Sequence, residues 1–327
     1  MGIELNKKDK RILYELNYYS RQPISKLAKK LKLSKQSVNY RVNKLVEDGF
    51  IKQFYTLINF TRLGYKPYKI FLRMNNLKKE EIDKFLEAFK NTAYVVWTVH
   101  CDGEYDIILG LIAKNTEHFK NIYYEILEKH QKLILFSDHS AIISAHQAKK
   151  EYLSDKQDKS ILSNFYVDQE IIKIDKKDSK ILRLLAPNSK ISIIEMAGKL
   201  NLTSEAVRIR LKNLQKRGII MGSSILLDTA KIDYLSYKVL INLKSKTMKD
   251  INKLTNFLNS YYGITEVINV LGSWDLEIDL EVKSISEFKD IITMIRTKFK
   301  ELISNYTALI KYEEHSYNYY PIPESDY

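Results

Sequence analysis

The stretch LNKKDKRIL at residues 5–13 recurs as IDKKDSKIL at residues 174–182, an offset of 169 residues. The same offset places GEYD at residues 103–106 on GSWD at residues 272–275. Self-similarity at a fixed spacing marks a repeated structural unit. The chain of 327 residues is therefore predicted to be a tandem duplication that covers both of its halves.

The composition is that of a folded, basic protein. Hydrophobic residues make up 45% of the chain and only 10 Gly and 5 Pro interrupt it, which is too apolar a composition for general disorder. The 53 Lys and Arg exceed the 40 Asp and Glu, so the formal net charge is +13 and a polyanionic partner is expected. Cys101 is the single cysteine, which excludes a disulfide within the chain. No apolar run reaches the ~20 residues that span a bilayer, so we expect a cytoplasmic protein with no membrane partner.

Each half opens with the pattern of three short helices. Residues 6–18 place apolar side chains at helical spacing behind Asn6, a good N-cap. A second helix is predicted from Pro23 or Ile24, and a short turn then leads into a third helix from Lys35 to about Glu47. The second copy repeats this order. Two helices joined by a tight turn are typical of the helix-turn-helix, whose second member enters the major groove of DNA.

The free face of each third helix carries side chains of the kinds that contact bases and phosphates. They are Lys35, Gln36, Ser37, Asn39, Tyr40, Arg41 and Lys44 in the first copy, and Ser204, Glu205, Arg208, Arg210 and Lys212 in the second. Any one of these side chains is as readily explained by simple solvation as by contact with DNA.

The distribution of charge favours double-stranded DNA as the partner. Residues 5–52 hold 13 Lys and Arg against 4 Asp and Glu, and residues 174–221 hold 11 against 4. The rest of the chain is net acidic. Positive charge is thus concentrated on the two proposed reading units, whereas a basic surface kept for solubility would be spread more evenly.

An α+β unit follows each three-helix unit. In the first half, period-2 and helical patterns predict a strand at 68–74, a helix at 79–89, strands at 94–99 and 106–112, a helix at 117–127 and a strand at 133–144. The order βαββαβ is that of the ferredoxin-like fold, in which both helices cover one face of an antiparallel sheet. The other face needs a partner, so we expect the halves, or two chains, to pair through it.

The predicted fold class is α+β, with two copies of a winged helix-turn-helix followed by a ferredoxin-like βαββαβ domain. The predicted segments are helix-turn-helix domains at residues 1–60 and 174–228, ferredoxin-like domains at 61–147 and 229–315, a polar linker at 148–173 with room for one short helix, and an aromatic tail at 316–327. Short β-rich stretches at 53–59 and 223–227 fit a wing or a connecting strand. The tail is expected to lie extended on the body or on a second subunit.

Two turns share the pattern G-x-[YW]-D: Gly103, Tyr105 and Asp106 in the first half, and Gly272, Trp274 and Asp275 in the second. The glycines fit tight hairpin turns. The two acids each open an apolar strand, where an acid serves as a cap, an ion-pair partner or a ligand contact. For the two aromatic side chains, packing is a better interpretation than a ligand cage.

These patterns together resemble the Lrp/AsnC family of feast/famine transcription regulators. The resemblance rests on the opening L-[ND]-x-x-D-x-x-I-L, the L-x-L-S turn at residues 31–34, Gly49 after the third helix and the G-x-[YW]-D turns, and it spans nearly all the chain twice. It implies that the α+β units are RAM-type domains that pair subunits and bind an amino acid or related metabolite near these turns. The resemblance therefore nominates Gly103, Tyr105, Asp106, Gly272, Trp274 and Asp275 as effector-binding residues.

Members of that family usually carry one copy of each domain. The fused form is thus expected to make an internal pseudo-dimer, and a homodimer or higher homo-oligomer is expected beyond it. The two halves differ in sequence, so only one of them could have retained the ability to bind the effector.

Two other function classes stay open. Siroheme decarboxylases of the heme pathway share this two-domain plan, which keeps an enzyme as an alternative. The sequence lacks a Walker phosphate loop, a nucleophile elbow and an H-E-x-x-H motif, so we expect no catalytic residues, no metal and no cofactor. The third class is a ligand-sensing scaffold whose helix-turn-helix units bind proteins, and a weak salt dependence of binding would identify it.

Overall fold

The computed structural model describes residues 5–75, 78–90, 92–148, 150–154, 161–166, 169–244, 247–315 and 317–326. The first half contains α1 (Lys7–Tyr18), α2 (Ile24–Leu31), α3 (Lys35–Glu47), β1 (Ile51–Ile58), β2 (Lys66–Met74), α4 (Lys79–Phe89), β3 (Val95–Asp102), β4 (Ile107–Ala113), α5 (Thr116–His130) and β5 (Ile134–Ala148). After β6 (Ile161–Tyr166), the second half contains α6 (Lys176–Leu185), α7 (Ile193–Leu200), α8 (Ser204–Lys216), β7 (Ile220–Leu227), β8 (Leu235–Leu243), α9 (Met248–Asn259), β9 (Ile264–Gly272), β10 (Leu276–Val282), α10 (Ile285–Lys298) and β11 (Ile303–Glu314).

Local signals in the sequence account for the three-helix units. The Asn6 side chain caps α1 by accepting from the amides of Lys8 and Asp9 at 2.9 and 3.0 Å. The turn before each third helix uses a left-handed residue, Lys32 with φ 56° and its equivalent Asn201 with φ 51°. Both third helices are confirmed at the predicted positions.

The first strands of the two halves pair with each other instead of forming wings of their own. β1 and β7 make an antiparallel ladder in which Tyr55 lies opposite its own repeat equivalent, Ser224. The core of the first helix-turn-helix includes Ile225 and Leu227 from β7. Each reading unit is therefore completed by a strand that belongs to the other half.

The two ferredoxin-like sheets close into one barrel. The strand order is β2-β4-β3-β11-β8-β10-β9-β5, and β5 pairs back to β2. The halves meet at two equivalent ladders, β3 with β11 and β5 with β9, in which Asp102 opposite Ile310 corresponds to Leu271 opposite Ala141. The predicted pairing of the halves is confirmed, and it forms an internal pseudo-dimer.

Side chains alternate across the barrel wall, as the period of a strand requires. Ile70 and Leu72 of β2 pack beneath the first half's helices with Phe85 and Phe119. Phe71 lies between them in sequence and joins the core that the two halves share. Lys69 lies two residues before Phe71, so it is on the same face of β2, and it is buried.

The segment predicted as a linker contains more structure than the sequence indicates. It holds a 3-10 turn at Glu151–Leu153 and the strand β6, which pairs with the end of β5. The segment as a whole is polar, which predicted a linker, but residues 161–166 (ILSNFY) are mostly apolar and form a strand by pairing with β5. Within the described residues, no helix is both long and apolar enough to cross a bilayer.

The aromatic tail lies on the body of the chain, as one of the two predicted arrangements requires. Tyr320 is buried and its hydroxyl lies 2.9 Å from the Ser179 hydroxyl, at α6. The Pro321 carbonyl accepts from the Tyr94 amide at 2.8 Å. The tail therefore links the second helix-turn-helix to the first ferredoxin-like domain.

Ser20 and Ser189 are repeat equivalents whose buried hydroxyls lie 2.7 Å apart on the pseudo-two-fold axis. We predict that Ser20→Ala lowers the free energy of unfolding by about 1–2 kcal/mol, because the remaining buried hydroxyl loses its partner. Adding Ser189→Ala should cost less than the first change, since no polar group is then left unpaired. Chemical denaturation measures both steps. The exposed Ser25→Ala is the control, and additive losses in the double variant would contradict the pairing.

Candidate nucleic-acid interface and effector turns

The two recognition helices expose equivalent but chemically different faces. On α3, Gln36, Asn39 and Tyr40 are exposed, and the repeat places Glu205, Arg208 and Ile209 of α8 at the same positions. Tyr40 is 66% exposed and Ile209 is 52% exposed, although both are large side chains. Their buried faces are alike, since Val38 and Val207 are both fully buried. Packing has thus been retained in both copies while the outward chemistry has diverged.

Arg41 and Arg210 lie at the side of these faces, against the first helix of each unit. Arg41 donates to Asp9 at 2.8 Å, and Arg210 donates to both Asp175 and Asp178 at 2.7 Å. Each arginine side chain is 26% exposed. These pairs tie the third helix to the first, which gives both arginines a structural role within the unit.

The ion pairs of Arg210 also change the pKa of Asp175. Burial on its own would raise the pKa of Asp175, but hydrogen bonds from the Asp178 amide and the Arg210 guanidinium hold that pKa below its ordinary value. The acid is therefore ionised at neutral pH and keeps the guanidinium engaged. The two arginines predicted from the sequence as readers thus already have carboxylate partners.

The other predicted DNA-binding residues sit along the same two helices. Lys35 and Lys44 are exposed on α3 and Lys212 is exposed on α8, whereas Ser37 and Ser204 are half-buried in the first turns. The sequence analysis missed two further exposed residues, Asn43, which is equivalent to Lys212, and Ile209, which is equivalent to Tyr40. Asn43 lies three residues after Tyr40 and Ile209 lies four residues after Glu205, and this helical spacing was the available signal.

The glycines of the G-x-[YW]-D turns lie where the two halves touch. A Cβ on Gly272 would lie 2.7 Å from the His139 carbonyl oxygen and 3.2 Å from Ser140. A Cβ on Gly103 would lie 3.1 Å from the equivalent carbonyl, that of Ala308, and the φ of Gly103 is 135°. Close approach between β5 and β9, and between β3 and β11, therefore requires glycine at both turns, which a hairpin interpretation alone does not explain.

The acids and aromatic rings of these turns are occupied by the fold. An Asp106 oxygen accepts from the Met74 amide at 2.6 Å, and the equivalent Asp275 oxygen accepts from the Leu243 amide at 2.8 Å. Tyr105 and Trp274 are buried, 2% and 4% exposed, and their rings pack beside Phe71. Capping and packing explain these four side chains.

A single carboxylate connects the two turns. Asp138 of β5 accepts from the Tyr105 hydroxyl and from the Ser273 hydroxyl, both at 2.7 Å. Burial and this carboxylate raise the pKa of Tyr105, so its hydroxyl remains a donor. The parts of the turns that remain open to solvent are residues 102–104 in the first half and residues 271–273 in the second. In the described part of the chain no group of three His, Cys, Asp or Glu side chains could hold a metal ion.

Comparison with known proteins agrees with this geometry. Residues 5–52 and 174–221 each match the winged helix-turn-helix DNA-binding family. The transcriptional regulator AzlB of Bacillus subtilis is 32% identical over 128 residues, which are 39% of this chain and 82% of that protein. The regulatory protein AsnC of Haemophilus influenzae is 24% identical over 136 residues, 42% of this chain and 90% of its own.

Among solved structures, the siroheme decarboxylase NirDL is similar over 94% of this chain and 92% of its own, with a TM-score of 0.60 and 15% identity. At that identity the likeness concerns the fold alone. It extends over both halves, so the duplicated architecture itself is shared.

The contact at Gly272 can be tested with a matched glycine elsewhere. We predict that Gly272→Ala destabilises the protein by about 1–3 kcal/mol, because the new methyl group overlaps backbone atoms of β5. Gly198→Ala should be neutral or stabilise by about 0.5–1 kcal/mol, because Gly198 is inside α7 with nothing within 4 Å of the added Cβ. Thermal denaturation of both variants checks the pair, and equal melting temperatures would disprove the close contact.

Proposed function

Since the chain belongs to the Lrp/AsnC family of transcription regulators, in a tandem-duplicated form, we propose that it reads one asymmetric DNA site with both recognition helices. The observation that carries this proposal is the divergence of exposed residues at equivalent positions of α3 and α8. A homodimer presents two identical helices and suits a palindrome. A fused pair with different helices suits two different half-sites.

The two helices differ in what they can recognise. Gln36 pairs with adenine through its amide, whereas the equivalent Glu205 accepts from the amino group of cytosine. Asn39 likewise suits adenine, and the equivalent Arg208 suits guanine. Arg208 forms an exposed ion pair with Glu205 one turn away, so both side chains can be redirected on binding at small cost. The second half-site is thus proposed to be richer in G·C pairs than the first.

The two kinds of domain have separate roles in the proposal. Residues 1–60 and 174–228 read DNA, and residues 61–147 and 229–315, linked through 148–173, hold the two readers in a fixed relation. Through the β1–β7 ladder this frame sets the readers about one helical turn apart, ~34 Å, so that two weak contacts act as one. Arg41 and Arg210 support the helices, while Lys35, Lys44 and Lys212 contact phosphates.

The effector is proposed to be an amino acid or a related metabolite bound at the open surface of the G-x-[YW]-D turns. Leu271 there is 67% exposed, and Leu135 and Phe136 of β5 are 63% and 43% exposed. Exposed apolar side chains on β5 and at the second turn favour contact with a second copy of the chain. We propose that the effector binds where two copies meet and changes their assembly.

Catalysis is not part of the proposal. The fold shared with a siroheme decarboxylase is a reason to assay the purified protein for porphyrin decarboxylation, and we propose that it has no such activity. The open surface of the G-x-[YW]-D turns offers no metal-binding group of His, Cys, Asp or Glu side chains among the described residues.

DNA recognition is tested with variants of one helix at a time. We predict that Gln36→Ala with Tyr40→Ala removes protection of one half-site, and that Arg208→Ala with Lys212→Ala removes protection of the other. Each pair should weaken binding about 10- to 100-fold, because base contacts contribute about 1–3 kcal/mol each. Footprinting on sites chosen by random selection, at two salt concentrations, measures this.

The matched control is Lys120→Ala, an exposed lysine on α5 that lies away from both readers. It should leave the footprint unchanged. A palindromic selected site, or the same loss of protection from both pairs of variants, would contradict asymmetric reading. Binding that is insensitive to salt would instead favour the protein scaffold.

Effector binding is tested at the exposed leucine. We predict that an amino acid from a panel of the common ones shifts the sedimentation coefficient of the wild type, and that Leu271→Asp abolishes this shift without lowering the melting temperature. A charge on this surface disfavours burial against a second copy. Met248→Asp, at a residue 69% exposed on α9, is the control and should behave as wild type. Assembly that is unchanged in Leu271→Asp would exclude this surface.

A further inference from the structure

The centre of the barrel encloses charged side chains that come almost entirely from one half. Lys69 and Lys238 are repeat equivalents, 1% and 2% exposed, and both point into the shared interior. The acids that face them are Glu266, Glu277, Asp279 and Glu314, all in the second half, joined by Lys311. The first half has Trp97, Ile108, Gly110 and Ala145 at the positions equivalent to those acids.

Each buried lysine already has a carboxylate partner. Lys69 lies 2.6 Å from Glu277, and Lys238 bonds to both Glu277 and Asp279. Lys311 lies 2.6 Å from both Asp279 and Glu314. Glu277 accepts further hydrogen bonds from the Trp274 indole at 3.1 Å and the Ser140 hydroxyl at 3.2 Å. A further anion would therefore find no unpaired cation here.

Glu266 is the exception among these groups. Among the residues that the structure describes, none donates a hydrogen bond to its carboxylate or forms an ion pair with it, and the side chain is half-buried on β9, where it lines the cavity. Burial and the neighbouring Asp279 carboxylate raise the pKa of Glu266, and the lysines oppose them. A carboxylate that lines a cavity and has no protein cation or donor beside it is a group that a bound cation would stabilise.

The cavity beside Glu266 has aromatic walls. Trp97, Phe60, Tyr317 and Tyr319 line it together with the charged residues. The centre of a water-sized sphere can move through about 70 Å³ of this space, several times the roughly 10–15 Å³ that one water needs. Closed barrels of eight strands have interiors just wide enough to hold one small ligand.

We propose that this cavity binds a small organic cation, an alkylammonium or quaternary ammonium ion, whose charge lies against the Glu266 carboxylate and whose carbon atoms contact the aromatic rings. Lys69, Lys238 and Lys311 line the cavity with Glu266, Asp279 and Glu314, and Glu277 pairs with two of these lysines, so one more positive charge balances the four carboxylates. The faces of Trp and Tyr rings attract such ions. A metal ion would leave the rings without a role, and a neutral ligand would leave the carboxylate unpaired.

The site joins parts of the chain that belong to different halves. Glu266 is in the second half and Trp97 is in the first. The Tyr317 ring stacks on Tyr55 of β1 at 4.9 Å, and the Tyr317 amide donates to the Gln53 side chain at 2.8 Å. A ligand in the cavity therefore contacts both halves and the segment that packs on the β1–β7 ladder.

The experiment compares choline with 3,3-dimethylbutan-1-ol, which has the same shape without the charge, by calorimetric titration of the full chain. Choline is expected to bind about tenfold or more tightly than the neutral analogue. Trp97 is one of two tryptophans, so the same titration is expected to change the intrinsic fluorescence of the wild type and not of Trp97→Phe. Equal affinities for the two compounds, or no choline binding in the millimolar range, would overturn the proposal.

The carboxylate is tested by substitution and by pH. Glu266→Gln keeps the shape of the side chain and is expected to reduce choline affinity about tenfold or more, whereas Glu301→Gln, at an 88% exposed residue, leaves it unchanged. A protonated Glu266 does not attract a cation, so affinity should rise with pH through the elevated pKa of Glu266 in the wild type and should stay flat in Glu266→Gln. Glu266 differs from the charged groups that face it, because each of those groups forms a salt bridge. They are Asp279, Glu277, Glu314, Lys69, Lys238 and Lys311.

Glycine betaine separates a cation site from a zwitterion site. It carries the same ammonium head with an added carboxylate, and it is expected to bind more weakly than choline because each lysine is already paired. Binding of glycine betaine at least as tight as that of choline would overturn the assignment to cations. Footprinting measures DNA binding without choline, and the titration measures choline binding without DNA. A negative result in one experiment therefore leaves the other proposal standing.

Discussion

Two short antiparallel ladders, β3 with β11 and β5 with β9, determine most of what this chain can do. An open four-stranded sheet ends in strands whose amides and carbonyls lack partners, and its uncovered face is apolar. Joining the two sheets at both edges satisfies those groups and encloses the face. The same pseudo-two-fold relation continues into the β1–β7 ladder, where Tyr55 meets Ser224, and into the hydroxyl pair of Ser20 and Ser189. The placement of the recognition helices thus follows from how the barrel closes.

Covalent duplication frees this frame from exact symmetry. In a homodimer, a residue that faces the axis meets its own copy, so an acid in the interior brings a second acid with it. Here Glu277 and Asp279 occupy interior positions, and the equivalent positions of the first half hold Ile108 and Gly110. The Trp97 ring fills the space beside Gly110. Lys69 and Lys238 persist in both halves and share one set of acids. The same freedom allows Gln36 and Glu205 to differ on the two reading faces.

Much of the fold was predictable from short-range pattern. The 169-residue offset, the N-caps, the helical spacing around Val38 and Val207, and the βαββαβ order were each legible because they depend on neighbours within a few residues. The contacts within the candidate site were less predictable from the sequence. Arg41 and Arg210 have the chemistry of DNA-reading residues, yet their ion pairs to Asp9, Asp175 and Asp178 form across a helix junction whose geometry the sequence does not display. Strand β6 and the exchange of β1 and β7 were missed for the same reason.

By itself, the sequence determined that this protein is a duplicated pair of helix-turn-helix and ferredoxin-like units with positive charge concentrated on the readers, because repetition, periodicity and charge are properties of the linear chain. Only the tertiary structure decided that the glycines of the G-x-[YW]-D turns are required by contact between the halves and that the aromatic tail meets the β1–β7 ladder. It also decided that the acids of β9, β10 and β11 converge on three lysines around a cavity. These depend on which strands become neighbours, and strand pairing brings together residues more than a hundred positions apart through backbone hydrogen bonds that any sequence can form.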